Sequence, residues 1–360
     1  MFVALRDLRF ARGRFVLIGA VVGMITVLVG FLSGLTGGLA AQNVSAILAI
    51  PADRIVFSEP GSGASEVSFA DSAITERQAR AWEGADAVAA VRPLGISQAR
   101  AEVGDVRASV ALFGGEAELG ITPPSRDGLV TLTAPAAESL GANVGDETTV
   151  AGATYVVEAI EGEAWYSHTP VALITLADWQ RHSAATGSPD PYATVLAVTA
   201  TEGAEVEWEG IDRAHETAAQ TTLDSLMAVS AFRSEIGSLL LMVTMLFGIS
   251  GLVIGAFFTV WTMQRKGDIA VLKALGASTS SLVRDALGQA LVVLLAGIGS
   301  GIALVATLGA AAGTALPFLL SPVTTVAPGV IMIALGLAGA AVALRSVVSA
   351  DPLTALGSNR

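Results

Sequence analysis

The side chains in this sequence whose types and spacing hold chemical interest form two groups. The first is the stretch Arg265 to Gln289, RKGDIAVLKALGASTSSLVRDALGQ, which holds the chain's two lysines, Lys266 and Lys273, with Asp268 between them. It reads as a short helix with a stop at Gly276, followed by a Ser/Thr cluster that caps the next helix. Its plainest reading is a positively charged inner loop; its sharper reading is a docking element. The second group is Glu209, Arg213, Glu216, Met227 and Arg233. Positions 209, 213, 216, 220, 223 and 227 fall near one helical face and place carboxylates, a guanidinium and a thioether together. Neither group carries a catalytic arrangement. His168, His182 and His215 have neither metal-ligand spacing nor the makings of a triad, and there is no cysteine. No glycine-rich segment ends in Gly-Lys-Ser/Thr, and the one Lys-Gly pair, Lys266-Gly267, runs in the wrong order. The chain is therefore expected not to hydrolyse ATP itself.

The elements that must carry these groups are long and apolar. Apolar residues make up 52% of 360 and charged residues 14%, with mean hydropathy +0.65. They concentrate in four blocks of bilayer-spanning length. The expected divisions are a basic amphipathic start, 1–14; a first span, 15–40; an outer domain, 41–213; a stalk and second span, 214–263; and an inner segment, 264–285. A third span at 286–309, an outer loop at 310–324, a fourth span at 325–345 and an inner tail at 346–360 complete the chain. The first apolar run exceeds the ~7–15-residue core of a cleaved signal peptide.

Charge sets the orientation. The segments 1–14, 264–285 and 345–360 hold ten basic residues against four acidic ones, although the whole chain carries a net charge of −12. The other ten arginines and 28 acids fall in 41–236. Positive flanks place both termini and the 264–285 loop in the cytoplasm and the acidic domain outside. No basic surface remains for nucleic acid.

The fold class expected is a membrane α-helical protein, with four transmembrane helices and cytoplasmic termini. One mixed α/β extracytoplasmic domain lies between helices 1 and 2. Strands are expected at Arg54–Phe57, Ala87–Arg92, Arg107–Phe113, Val171–Thr175 and Thr194–Thr199, and helices at Thr75–Trp82 and Leu176–Ala184. Leu129–Ile160 reads strand, helix, glycine turns at Gly141, Gly145 and Gly152, then two alternating strands. Ala214–Ser234 has helical periodicity running into Gly237–Met263, which predicts one continuous stalk-and-span helix. In the first span Gly30, Gly34 and Gly38 leave a flat stripe that suits either packing within the subunit or a contact between two copies.

GDIAVLKALGAS resembles the cytoplasmic coupling segment of FtsX/MacB-type (type VII) ABC transporter permeases, and Leu129–Ile160 is similar to the periplasmic core domain of that family. DPLTAL, residues 351–356, resembles its inner tail. The resemblance covers nearly the whole chain. It implies a permease subunit in the bacterial cell (inner) membrane, working as a homodimer with two copies of an ABC ATPase that binds ATP. Lys266, Asp268, Lys273, Ala274, Leu275 and Gly276 are the coupling residues so implied, and Gly30, Gly34 and Gly38 the dimer-packing candidates. Two departures stand out. Asp268-Ile269-Ala270 replaces the family's frequent Glu-Ile-Gly, and Gln289 stands where a glutamate is common.

Within the family the chain looks most like haem-exporter permeases. Other members export lipoproteins, peptides or antibiotics, or regulate an outer hydrolase or sensor without transport. If the substrate is haem, it needs an apolar slot, an iron ligand and cations for two propionates. Met227 offers a soft axial ligand or a flat apolar wall, Glu209 or His215 an oxygen or nitrogen ligand, and Arg233 and Arg54 partners for propionates. His215 lies off the helical stripe.

Overall fold

The computed structural model describes residues 12–61, 66–116, 121–187, 192–313 and 316–348. The expected basic start before residue 12 and the tail after residue 348 lie outside the described residues. The chain divides into two compact units, a helical one formed by Met1–Gly38 with Ser238–Arg360, and a head, Leu39–Gly237.

Ten α-helices, one 3-10 turn and ten strands run through the described residues. α1 (Arg12–Leu48) leads to β1 (Arg54–Ser58), α2 (Glu76–Glu83), β2 (Val88–Val103), β3 (Val106–Gly115) and β4 (Leu129–Leu132). α3 (Ala134–Leu140), β5 (Glu147–Val150), β6 (Ala153–Ile160), β7 (Trp165–Tyr166), β8 (Thr169–Ile174), α4 (Leu176–Ala185) and β9 (Val195–Ala200) follow. Then come α5 (Trp208–His215), β10 (Thr217–Gln220), α6 (Thr222–Ser225), α7 (Ser230–Gln264), α8 (Lys266–Ala274), α9 (Thr279–Ala312) and α10 (Pro322–Val348).

Four of these helices, from Phe15, Ser230, Thr279 and Pro322, are long and apolar enough to cross a membrane, with mean hydropathies of 2.2 to 2.7. Apolar residues all round a helix leave it no polar face for water, so such helices bury themselves in one another or in lipid. In the helical unit Val22, Val29, Ile254, Phe258, Leu294, Ile298, Met332 and Ala340 form the core. Small residues let backbones approach closely. A Cβ added to Gly297 would lie 2.8 Å from the carbonyl oxygen of Gly19, and one on Gly301 2.9 Å from that of Gly23. Residues 316–321 fold back into the same unit: Leu319 donates its backbone N–H to the Gly34 carbonyl at 3.0 Å, and Phe318 stacks near Phe31, ring centres 5.0 Å apart.

The head is a sheet in the order β10-β1-β9-β2-β3-β8-β4-β6-β5. The long β2 pairs with β9 over its first half and with β3 over its second; at Ala101 and Glu102 it also meets β5, which closes that side of the sheet on itself. One apolar cluster combines Val44, Ile47 and Ile50 from the end of α1 with Ile55, Phe57, Phe113, Leu173 and Val229. A second lies under α3, with Ala137 and Leu140 turned inward and Leu112, Val130, Val157 and Trp179 around them. The Leu129–Ile160 reading holds, and its three turn glycines take φ of 63°, 92° and 89°.

The expected stalk helix does not form. α5 ends at His215, and Glu216 takes φ 56° in the left-handed region. Residues 217–220 then become an edge strand that pairs antiparallel with β1, Ile55 opposite Gln220 and Ser58 opposite Thr217. Sheet pairing satisfies these backbone groups. It also buries Thr217, which accepts a bond from Trp82 Nε1 at 3.3 Å. The register with β1 thus overrides the helical period. After the short α6 and a 3-10 turn, Leu226–Ala228, a long helix restarts at Ser230. Positions 209, 213, 216, 220, 223 and 227 therefore share no helical face.

Candidate functional site

The coupling candidates sit on α8, a nine-residue helix entered from α7 through Arg265. Gly276 ends it at φ 93°, where a side chain is strained. Ser278 caps α9 by accepting from the Ser281 N–H at 3.2 Å, as the sequence predicts. The side chains of Lys266, Asp268 and Ala274 lie outside the described residues. Those that are described leave an apolar strip in the open: Val271 is 51% exposed, Leu272 41% and Leu275 80%. Lys273, in the last turn, is half-buried. Three large apolar side chains uncovered on so short a helix, with a cation beside them, make a surface suited to another protein.

Behind this strip is a polar latch that sequence reasoning found only in part. Gln289, fully buried in α9, accepts from Arg265 Nη1 at 2.6 Å and donates to Asp285 Oδ2 at 3.2 Å. The same guanidinium lies over Trp261, 5.3 Å from its ring centre, in a cation–π contact. A neutral amide serves here because it accepts from the guanidinium through its oxygen and gives to a carboxylate through its nitrogen. A glutamate at this position can do only the first.

The substrate candidates divide. Met227 and Arg233 come together on a groove of ≈ 590 Å³ lined also by Glu59, Glu66, Val67 and Asp224. Met227 is half-exposed, and Arg233 pairs with Glu66. Glu209 and His215 stand instead on α5, where Arg54 lies over Trp208, 5.3 Å from its ring centre. Arg213 folds back along α5, donating to the Glu209 carbonyl at 3.1 Å. The groove thus keeps Met227 and Arg233 and parts from Glu209, His215 and Arg54. Glu59, Glu66 and Asp224 are the lining residues that sequence reasoning missed; no local pattern marks them.

The glycine stripe is used inside the chain. A Cβ on Gly30 would meet Val305 at 2.9 Å. One on Gly34 would run into the Phe318 ring, and one on Gly38 into the Pro317 carbonyl oxygen. Of the two readings that their spacing allows, the structure takes packing within the subunit.

The histidines differ from one another. His182, on α4, has its basicity lowered by burial. His168, which the sequence leaves as an ordinary loop histidine, lies within hydrogen-bonding distance of Asn43 and Glu235. Of the carboxylates, Glu158 is held below its usual range by two hydrogen bonds from Ser125. One comes from the Ser125 hydroxyl at 2.6 Å and the other from its N–H at 2.8 Å.

The chain is similar to the following known proteins. Residues 239–352 match the model of the FtsX-like permease C-terminal family. A putative hemin transport system permease protein, HrtB, of Staphylococcus haemolyticus is 24% identical over 99% of both chains, and one of Staphylococcus epidermidis is 22% identical over 100% of both. An uncharacterized ABC transporter permease of Mycobacterium tuberculosis is 25% identical over 99% of both. Among solved structures, the periplasmic region of MacB from Actinobacillus actinomycetemcomitans gives TM-score 0.36 at 11% identity, covering 51% of this chain and 95% of that one. The extracellular domain of the Gram-positive transporter YknZ gives 0.34 at 13%, covering 47% and 99%.

Proposed function

We propose that the chain is an ABC transporter permease of the FtsX/MacB type and that it exports an amphipathic substrate, haem, with energy from a separate ATPase. It resides in the bacterial cell membrane with four spans and its large domain outside. The observation that carries the haem reading is the end-to-end match to permeases named for hemin transport.

In this reading two permeases stand over two ATPases. ATP closes the ATPases, which push on α8 through Val271, Leu272 and Leu275. The push passes into α7 and α9 through Arg265, whose bond to Gln289 ties the start of α8 to the third span. Substrate leaves from the membrane or its outer leaflet. The groove around Met227 and Arg233 supplies a thioether, an apolar wall at Val67 and one guanidinium. A flat apolar ring with anionic arms requires these groups. Glu66 holds Arg233 until a propionate replaces it.

Titrating the purified chain with haem and following the Soret band tests this. Wild type is expected to bind, and Met227→Ala and Arg233→Ala to weaken binding about tenfold each, near the worth of one charge-assisted contact. Absence of binding by wild type overturns the haem reading. Unchanged affinity in both variants removes the groove.

A further inference from the structure

Three polar side chains of the head unit, far apart in sequence, meet at one point. Asn43 comes from the last turns of α1, Glu235 from the start of α7, and His168 from the turn between β7 and β8. Asn43 Nδ2 lies 3.0 Å from His168 Nε2 and 3.0 Å from Glu235 Oε2, and His168 Nε2 lies 3.1 Å from both carboxylate oxygens. Asn43 is 1% exposed, while the His168 and Glu235 side chains keep 33% and 40% of their surface.

The backbone holds His168 there at some cost. Ser167 and His168 both take left-handed conformations, φ 49° and 61°, and both donate backbone N–H groups to α1, to Asn43 O at 3.0 Å and Gln42 O at 2.9 Å. Non-glycine residues seldom adopt this conformation, and two in succession aim the imidazole at the carboxylate.

Hydrogen bonding alone does not satisfy the cluster. With its proton on Nε2, His168 donates to Glu235 but meets the Asn43 amide nitrogen, a second donor. With its proton on Nδ1, Nε2 accepts from Asn43 but faces the carboxylate lone pairs at 3.1 Å. In either case Asn43 Oδ1, fully buried, has no hydrogen-bond partner, which is rare for a buried polar atom.

We propose that Asn43, His168 and Glu235 form a binding site for one divalent first-row transition ion. A half-turn of the Asn43 amide exchanges its oxygen and nitrogen, whose terminal torsion is roughly twofold. Oδ1 then occupies the position 3.0 Å from both other atoms. The three ligand atoms form a triangle with edges of 3.0 to 3.1 Å. Such a triangle subtends about 90° at an ion about 2.1 Å from each ligand, one face of an octahedron. The ion takes the Nε2 lone pair, one carboxylate oxygen and the amide oxygen; it relieves the conflict at His168 Nε2 and gives Oδ1 a partner, while the half-turn places the amide nitrogen where Oδ1 stood. Imidazole, carboxylate and amide oxygen together suit Mn²⁺ or Zn²⁺. The partial exposure of His168 and Glu235 lets water reach the opposite face. The site stands apart from the identity of the exported substrate.

Mn²⁺ binding to the purified full chain, read from loss of the free-ion electron paramagnetic resonance signal, tests this, with Zn²⁺ competing. Wild type is expected to bind one ion per chain and to melt at higher temperature when loaded. His168→Ala and Glu235→Gln are each expected to lose at least tenfold in affinity, Asn43→Asp to gain, and His182→Ala to match wild type. No uptake by wild type overturns the site, as does unchanged affinity in either loss variant. Should those two variants fail to fold, an Asn43→Asp chain that binds no tighter than wild type overturns it equally.

Discussion

Arg265 Nη1 donates to Gln289 Oε1 at 2.6 Å, across 24 residues of sequence and between two different helices. The bond joins the residue that opens α8 to the buried face of α9, and in the proposed mechanism a push on α8 reaches α9 through it. A hydrogen bond from a charged donor contributes about 1.5–3 kcal/mol. Gln289→Leu is therefore expected to leave ATPase binding intact and to cut substrate-stimulated ATP hydrolysis about tenfold. Gln289→Glu, which keeps the acceptor, restores most of it. Equal stimulation in Gln289→Leu and wild type contradicts the latch.

Among the described residues Leu275 is the most exposed of the large apolar side chains, at 80%. Leu275→Asp removes no packing from the chain, so melting temperature and membrane insertion are expected to stay as in wild type. Copurification with the ATPase should fall about tenfold or more, as apolar anchors at protein interfaces carry about 2 kcal/mol or more. A variant that copurifies and exports normally removes Leu275 from the docking surface.

Gly38 and Gly19 make a matched pair for the packing of α1. Gly38→Ala drives a methyl into the Pro317 carbonyl oxygen, whereas a Cβ on Gly19 meets nothing within 4 Å. Overpacking against backbone costs about 1–3 kcal/mol. Thermal unfolding in detergent is expected to show a lower midpoint for Gly38→Ala and little change for Gly19→Ala. If both behave alike, the fold of residues 316–321 onto α1 is wrong.

These outcomes also show what the sequence could and could not convey. The short helix Lys266–Ala274, its Gly276 stop and the Ser278 cap were legible because each depends on neighbours within a few residues. The same holds for the strand–helix–strand run from Leu129 to Ile160. The stalk was misread because Ala214–Ser234 keeps a helical period that only a remote partner breaks: β1, far back in the chain, draws Thr217–Gln220 into the sheet. The stripe at Gly30, Gly34 and Gly38 announced close approach, but spacing alone cannot say whether Phe318 of the same chain or a second copy fills it. The meeting of Asn43, His168 and Glu235 left no trace in sequence, being separated by 125 and 67 residues.

His182 gives the head a pH dependence with a definite sign. Burial lowers its folded-state basicity below the ordinary histidine value. The unfolded chain then binds the proton more readily, so the contribution is complete above about pH 6.5 and is lost as pH falls through the lower, folded value. Thermal unfolding of the full chain from about pH 7.5 down to about 5 is expected to fall less steeply in His182→Gln. Parallel curves for variant and wild type contradict the assignment.

The most direct test of haem export is ATP hydrolysis by the permease reconstituted with its ATPase in lipid, measured with and without haem. The reading predicts that haem raises the rate several-fold, that lipopeptides and simple peptides do not, and that Leu275→Asp abolishes the increase. A rate indifferent to haem but raised by a peptide or lipopeptide would contradict it and leave the permease with a different cargo.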